Sequence, residues 1–503
     1  MELNDLFYKW VPVFVRLPVL FVLLFVILVA NGVFLGNTTA MFSSLGEYQE
    51  PYIQASNALY IGMGLGLMFE TRLKQRFSNK ELLLYGLSMM LLMNIICATT
   101  DNSSLTVIAC LFLGFSKMAA LVEVYIIWLY IWSKKLDSSR FYPFVYSTAL
   151  CGLFLITWLT TKLASIYNWR YAYIGIIILI LICLLLSLLF VENHSLKKKI
   201  PLYQVDWIGL LLLASSLMFF DYALVYGKVE NWFDSSKIIT ALFASVLTLL
   251  LFIKLELSLK RPLLDLKLFK IRNFRLGLFY FLLLGIFVPS TFHSAFSSSI
   301  LQYEMIQNTA LNLYMLPGII TGSVVCYFWY WKKYDAEPLL FIGFLAFVLY
   351  HSIMYSSFSV NFNSDDFILP LFTKGFAMAT LYIAIGLYTT NKLAIGLVLS
   401  AGGMMILIRS FLGSGTFSAL YSYLLYAERI KHFVAIAGHT DTTDFLAKQQ
   451  GNVLNYYKNL QAQALLSASK EISGYIIIIG IVISLVIIIN YTYQKVKNKS
   501  TGD

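Results

Sequence analysis

Six charged or titratable side chains sit inside stretches that are otherwise apolar: Lys117, Glu123, Asp221, His293, Lys374 and Arg409. A charge at a bilayer centre costs on the order of 3 kcal/mol on insertion scales unless it is compensated. Such residues therefore either pin helices together or handle a proton or a polar ligand. Lys117 and Glu123 lie six apart on one predicted helix. Six residues advance about 600°, or 240° net, so the two address different neighbours. Glu123 and Asp221 are candidates for proton coupling, because a carboxylate can take up and release a proton. The structural alternative for Glu123 is an ion pair with an adjacent helix. For Asp221 it is a hydrogen bond to Ser215, Ser216 or Tyr222. Lys117, Lys374 and Arg409 put three cations against two clear acids within the spans. If they face one cavity, it favours an anionic or zwitterionic amphiphile. His293, Gln302, Tyr303 and Tyr314 are further candidates to line it, against the alternative of ordinary packing.

The elements that must hold these residues are membrane helices. The chain has 503 residues, 59% hydrophobic and 13% charged, with mean hydropathy +0.75. Soluble domains carry about 25% charged residues. Apolar windows of membrane length fall near 17–43, 51–70, 80–99, 104–132, 141–163, 170–191, 205–227, 236–253, 273–298, 307–331, 338–358, 367–389, 394–426 and 473–493. That predicts an all-α polytopic protein of about fourteen spans. The alternating pattern of a membrane barrel is absent.

The loops set the orientation. Arg72, Lys74, Arg76 and Lys80 follow the second span; Lys134 and Lys135 follow the fourth; Lys197, Lys198 and Lys199 follow the sixth. The loops between carry Glu47, Glu50, Asp101, Glu230 and Asp234. This alternation places both termini in the cytoplasm and explains the net charge of +11 without nucleic acid. No phosphate loop, zinc-protease helix or ATPase-sized soluble block is present, so neither an enzyme nor a cofactor is expected. The stretch 427–471 reads as one long external loop with an amphipathic helix in its second half. Its His432, His439, Asp441 and Asp444 are irregularly spaced, and no metal is expected there.

Five motifs carry a family likeness. They are Val205-Asp206-Trp207-Ile208-Gly209 with a turn ending at Trp232; Arg261-Pro262-Leu263-Leu264-Asp265; Leu301-Gln302-Tyr303 through Leu316-Pro317-Gly318; Asn168-Trp169-Arg170; and Arg409 through Gly415. In their order and span placement, they resemble the fourteen-span drug:proton antiporter branch of the major facilitator superfamily, the type containing the multidrug exporter B proteins. The likeness covers most of the chain. It implies two six-helix bundles, residues 1–200 and 259–503, joined by a two-helix hairpin at 201–258. It implies alternating-access export of hydrophobic or amphiphilic molecules across a bacterial inner membrane, driven by a proton gradient. The external stretch 427–471 is either a lid packed on the protein's own outer mouth or a docking surface for a periplasmic adaptor, with an outer-membrane channel beyond.

The departures are equally specific. The family's Gly-x-x-x-Asp-Arg-x-Gly-Arg loop is loosely kept as Gly66, Glu70, Arg72 and Arg76, the conformational-loop candidates. The fourth-span Arg is missing, the fifth-span Gly-Pro has become Cys151-Gly152-Leu153, and Asn31, Gly36 and Asn37 stand where relatives embed an Asp. Two alternatives therefore stay open: a dedicated exporter of an anionic lipid-like metabolite, and a receptor or scaffold that transports nothing.

Overall fold

The computed structural model describes residues 7–34, 36–132, 139–193, 206–259, 261–359, 362–391, 393–438 and 453–500. Lys134, Lys135, Lys197, Lys198, Lys199, Val205, His439, Asp441 and Asp444, named above, lie outside them. Among the described residues the only β feature is an isolated bridge between Phe7 and Val191; the rest is helix and connection.

The helices form for local reasons. The helix Trp169–Phe190 (α7) buries Trp169, Ala172, Tyr173, Ile176, Ile180 and Cys183 along one stripe. Its opposite stripe, with Ile174, Ile178, Leu181, Leu185 and Leu189, is exposed and just as apolar. A helix apolar all round is a membrane helix. Its start is fixed by Asn168, whose side chain accepts from the Arg170 N–H. Asn79–Thr99 (α4) opens on a reciprocal Ser78–Glu81 capping box. Trp207–Tyr226 (α8) opens on Asp206, which accepts from the Gly209 N–H at 2.8 Å.

Twelve helices among the described residues are long and apolar enough to cross a membrane, and Phe14–Val29 is a shorter apolar one. All fourteen predicted segments carry a helix; the chain is a multi-pass membrane protein. Several spans are broken. The first is Val13–Val29 (α1) followed by Thr38–Leu45 (α2); the ninth is Arg272–Phe287 (α10) followed by Thr291–Ser299 (α11). The second, Glu50–Leu73 (α3), is 24 residues long and comparatively polar.

The residues group into two compact units, Met1–Leu283 with Ile385–Gly415 and Leu284–Ala384 with Thr416–Asp503. The first unit contains α1 to α4, Ser103–Trp132 (α5), Phe141–Ile166 (α6), α7, α8, Ser236–Ser258 (α9), Ile395–Ile406 (α16) and a π-helix at Leu407–Gly415. The central hairpin α8–α9 is tied by a reciprocal pair, each Ser216 and Ser245 hydroxyl donating to the other's carbonyl at 2.9 Å. Its turn places Asn231 and Trp232 at φ of 56° and 53°, and the Trp232 ring lies against Gly227, where a Cβ would collide with it.

The second unit contains α11, Met305–Leu311 (α12), Met315–Trp331 (α13), Glu337–Ser357 (α14), most of Ile368–Thr390 (α15), Thr416–Gly438 (α17) and Val453–Ser500 (α18). Its core is aromatic: Phe287 packs on Phe344 and Phe347. In the stretch 427–471, the first part, expected as loop, continues α17 to Gly438, and the second half has the expected helix as the start of α18. Leu460, Ala464, Leu465 and Ala468 are buried there, a helical spacing that gives α18 an apolar face to pack against its neighbour.

Candidate functional site

In each unit, two helices pass so closely that only glycine fits. In the first, α3 presents Gly62 and Gly66 to α5, and α5 presents Gly114 back. A Cβ at Gly62 would strike the Leu111 carbonyl, and one at Gly114 the Leu59 carbonyl. In the second, α13 presents Gly318 and Gly322 to α15, with Gly375 returned; a Cβ at Gly318 would strike the Phe372 carbonyl. Both are small-xxx-small contacts, the packing that lets membrane helices approach closely. The two arrangements repeat one another, and each carries a lysine beside its returned glycine.

Lys117 is three residues beyond Gly114, buried at 2% exposure. Its ammonium reaches the break after α1. It donates to the Leu28 carbonyl at 2.8 Å, the Ala30 carbonyl at 3.3 Å and Asn31 Oδ1 at 2.7 Å. Three donors meet three oxygens at a helix C-terminus, where the helix dipole favours a cation. Asn31 also borders a cavity of about 10 Å³ shared with Ser56, Tyr60 and Thr157, near the lower limit for one water.

Lys374 precedes Gly375 and is equally buried. It reaches the break after α10, donating to Ser290 Oγ at 2.5 Å, with its Nζ 5.1 Å from the centre of the Tyr350 ring. His293 Nδ1 lies 3.2 Å from the Tyr350 hydroxyl, and its ring stacks on Phe367 at 5.0 Å. His351, fully buried, packs on Phe287, Phe292 and Tyr350. Among the described residues, neither Lys117 nor Lys374 is paired with a carboxylate.

The acids are placed elsewhere. Glu123 pairs with Lys74 of α3 at 2.9 Å, its side chain 5% exposed; Lys117 and Glu123 do face different helices. Asp221 is fully buried and accepts from Asn57 Nδ2 of α3 at 2.7 Å. The expected partners do not serve it: Ser216 is committed to Ser245 and Tyr222 donates to Glu230 at 3.1 Å. Arg409 lies in the π-helix, a rare element often found at functional sites, and donates to the Tyr146 hydroxyl at 2.9 Å.

A Major Facilitator Superfamily profile matches residues 19–416. The chain belongs to the Major Facilitator Superfamily. The multidrug export protein EmrB of Haemophilus influenzae is 23% identical over 293 residues, 56% of either chain. The probable multidrug resistance protein EmrY of Escherichia coli is 25% identical, over 49% of this chain and 48% of its own. The fatty acid resistance protein FarB of Neisseria gonorrhoeae is 24% identical over 46% of each. The matches thus span about half the length of these relatives. Among solved structures, a POT family transporter superposes at TM-score 0.60 with 12% identity, over 95% of this chain and 96% of its own. The nucleoside transporter NupG superposes at 0.52 with 14% identity, over 91% and 98%. These structures show the shared major facilitator fold.

The remaining sequence candidates of this superfamily member divide. Gly66 sits in the tight α3–α5 contact. Arg72 donates to the Pro262 carbonyl at 3.1 Å, while Arg76 is exposed. Glu70 is fully buried, and neither carboxylate oxygen has a hydrogen-bond partner. Gln302 is exposed at a left-handed φ of 56°, and Tyr303 and Tyr314 are half-buried; among the described residues no hydrogen bond or ring contact joins them to the Lys374 group. Sequence reasoning missed Asn57, Ser290, Tyr350 and His351; the uncharged three were not sought in a search for charges, and His351 carries the same signal as His293 and was passed over. It also missed two buried charges near span ends. Arg16 is bound to the Val11 carbonyl at 2.9 Å, and Glu256 accepts from the Leu263 N–H at 3.1 Å.

Proposed function

We propose that this chain is a secondary transporter that exports hydrophobic or amphiphilic small molecules across a bacterial inner membrane, with both termini in the cytoplasm. The observation that carries the reading is the repeated core: in each unit a glycine-packed helix pair aims a buried lysine at a broken span. Broken helices lined by buried polar groups are where transporters of this kind hold their cargo. The names of the relatives, one a multidrug export protein, one a probable multidrug resistance protein and one a fatty acid resistance protein, support the direction and substrate type. Two halves, 1–200 and 259–503, rock about the midplane while the 201–258 hairpin stays outside the path. Glu123 is the first candidate for proton coupling and Asp221 the second, with Gly66, Glu70, Arg72 and Arg76 as the conformational elements beside Glu123.

The test is transport in proteoliposomes under an imposed pH gradient. The wild type is expected to move an amphiphilic substrate against its gradient, and Glu123→Gln to lose gradient-driven movement while still binding. Unchanged transport in Glu123→Gln removes that residue from coupling. No transport of any amphiphile, with binding preserved, favours the receptor reading.

A second reading is favoured by one observation: among the described residues, Lys117 and Lys374 have no carboxylate partner. A buried ammonium without a counter-ion at the broken span of each unit suits an anionic lipid-like metabolite. Competition between anionic and cationic amphiphiles for the purified protein separates the two. In this reading a periplasmic adaptor docks on the 427–471 helices, and deleting 445–466 is expected to abolish export in cells but not in proteoliposomes.

A further inference from the structure

Where α17 and α18 run beside one another, three metal-capable side chains converge in the second unit. Glu428 and His432 are four apart on α17, which puts them on one face. Glu471 faces them from α18. One ligand atom from each of the three lies within 4.8 Å of the others. His432 Nε2 is 2.7 Å from Glu471 Oε2, and the other Glu471 oxygen accepts from the Tyr475 hydroxyl at 2.9 Å. Between the two carboxylates sits an ammonium: Lys431 Nζ is 2.8 Å from Glu428 Oε2 and 3.5 Å from Glu471 Oε1. The Lys431 side chain is 63% exposed, against 22% for Glu428 and 25% for Glu471.

We propose that Glu428, His432 and Glu471 form a divalent-cation site of the zinc class that staples α17 to α18. The donor set, one imidazole and two carboxylates, is one that zinc accepts. Tetrahedral zinc with bonds of about 2.0–2.2 Å holds its donors roughly 3.4 Å apart. The His432–Glu471 pair need only open, and the widest pair close, by side-chain rotation of about an ångström each way. Lys431 marks the position as one that takes positive charge. It is the most exposed member of the group, so it can swing into solvent when a dication replaces it. Three protein donors leave a fourth position for water. The irregular spacing of His and Asp along 427–471 hides this set, because Glu471 joins it only after the two helices pair.

The site is independent of the transport reading and is tested without transport. The purified full chain in detergent is titrated with Zn²⁺ alone, followed by calorimetry and by its unfolding midpoint; Co²⁺ then serves as a visible-absorption probe of nitrogen and oxygen ligation. The expected result is one equivalent bound and a raised midpoint. His432→Ala and Glu471→Gln are each expected to weaken binding at least about tenfold, and Lys431→Met, which removes the competing cation, to tighten it. Circular dichroism verifies that each variant keeps its helices, and Lys431→Met removes no donor, so its gain in affinity cannot come from misfolding. Equal Zn²⁺ affinity in wild type and His432→Ala, or weaker binding in Lys431→Met, overturns the proposal.

Discussion

Replacing Lys117 and Lys374 by methionine, one at a time, should have unequal consequences. Methionine keeps most of the side-chain length and supplies no donor. Lys117→Met strands the Leu28 and Ala30 carbonyls and Asn31 Oδ1, held at 2.8, 3.3 and 2.7 Å. Hydrogen bonds between membrane helices are worth about 0.6 kcal/mol on average and about 1.7 at most, so three amount to roughly 2–5 kcal/mol. Removing a buried ammonium returns part of its desolvation cost, which pulls the net loss toward the lower figure, about 2 kcal/mol. Lys374 makes one bond, to Ser290 Oγ at 2.5 Å, and one aromatic contact at 5.1 Å. Its loss, at about 1–2 kcal/mol before the same return, should be close to neutral. Equilibrium unfolding in mixed detergent–lipid micelles, followed by tryptophan fluorescence, measures both. Lys117→Met should be the less stable by about 2 kcal/mol. A Lys374→Met variant as unstable as Lys117→Met would refute the distinction between a saturated lysine and an underserved one.

Three further outcomes are expected. Asn57→Leu should cost about 1–3 kcal/mol by stranding the Asp221 carboxyl, and adding Asp221→Leu should recover much of it; strictly additive losses in the double variant would mean the two residues do not act as a pair. Gly62→Val and Gly375→Val should prevent recovery of monodisperse protein, because each Cβ meets a carbonyl of the partner helix, whereas Gly396→Ala, with no atom within 4 Å of its Cβ, should behave as wild type. At the hairpin turn, the Ser235 hydroxyl, with Tyr222 and Lys237, holds the Glu230 carboxyl below its usual value. A depressed folded pKa contributes stability above the unfolded value of about 4.3 and loses it as pH falls through the folded one. Melting scans should therefore fall more steeply toward acid for wild type than for Glu230→Gln, and parallel curves would count against this role.

What the sequence made legible was local. Hydropathy located every span, because an apolar window of membrane length is a property of consecutive residues. The motif around Asp206 and Trp232 marked the hairpin through its resemblance to the family's extra two spans. Partners were not legible. Asp221 takes Asn57 from 164 positions away, and Glu123 takes Lys74 from 49 away; nothing near an acid in the chain says which distant helix will cover it. Polarity misled only in the first part of 427–471, where a hydrophilic composition suggested a loop and α17 continues to Gly438; the amphipathic pattern of the second half was read as helix. The stripe of Leu460, Ala464, Leu465 and Ala468 carries that pattern.

The clamp at Lys117 sets a timetable for synthesis. The oxygens at the end of α1 leave the ribosome 86–89 residues before the lysine that satisfies them. At about 5–20 residues per second, that interval is roughly 4–18 s. Throughout it, the first span has a ragged end in or beside the bilayer, where bare carbonyls are costly, and water or the insertion machinery must cover them. α3 and α4 are made within the same window, yet α5 still has to enter against α3 with its charged side chain aimed at the waiting break. The chain's earliest helix is thus completed only when its fifth arrives, and slowing synthesis between them should lengthen the period in which quality-control proteases can recognise the nascent protein.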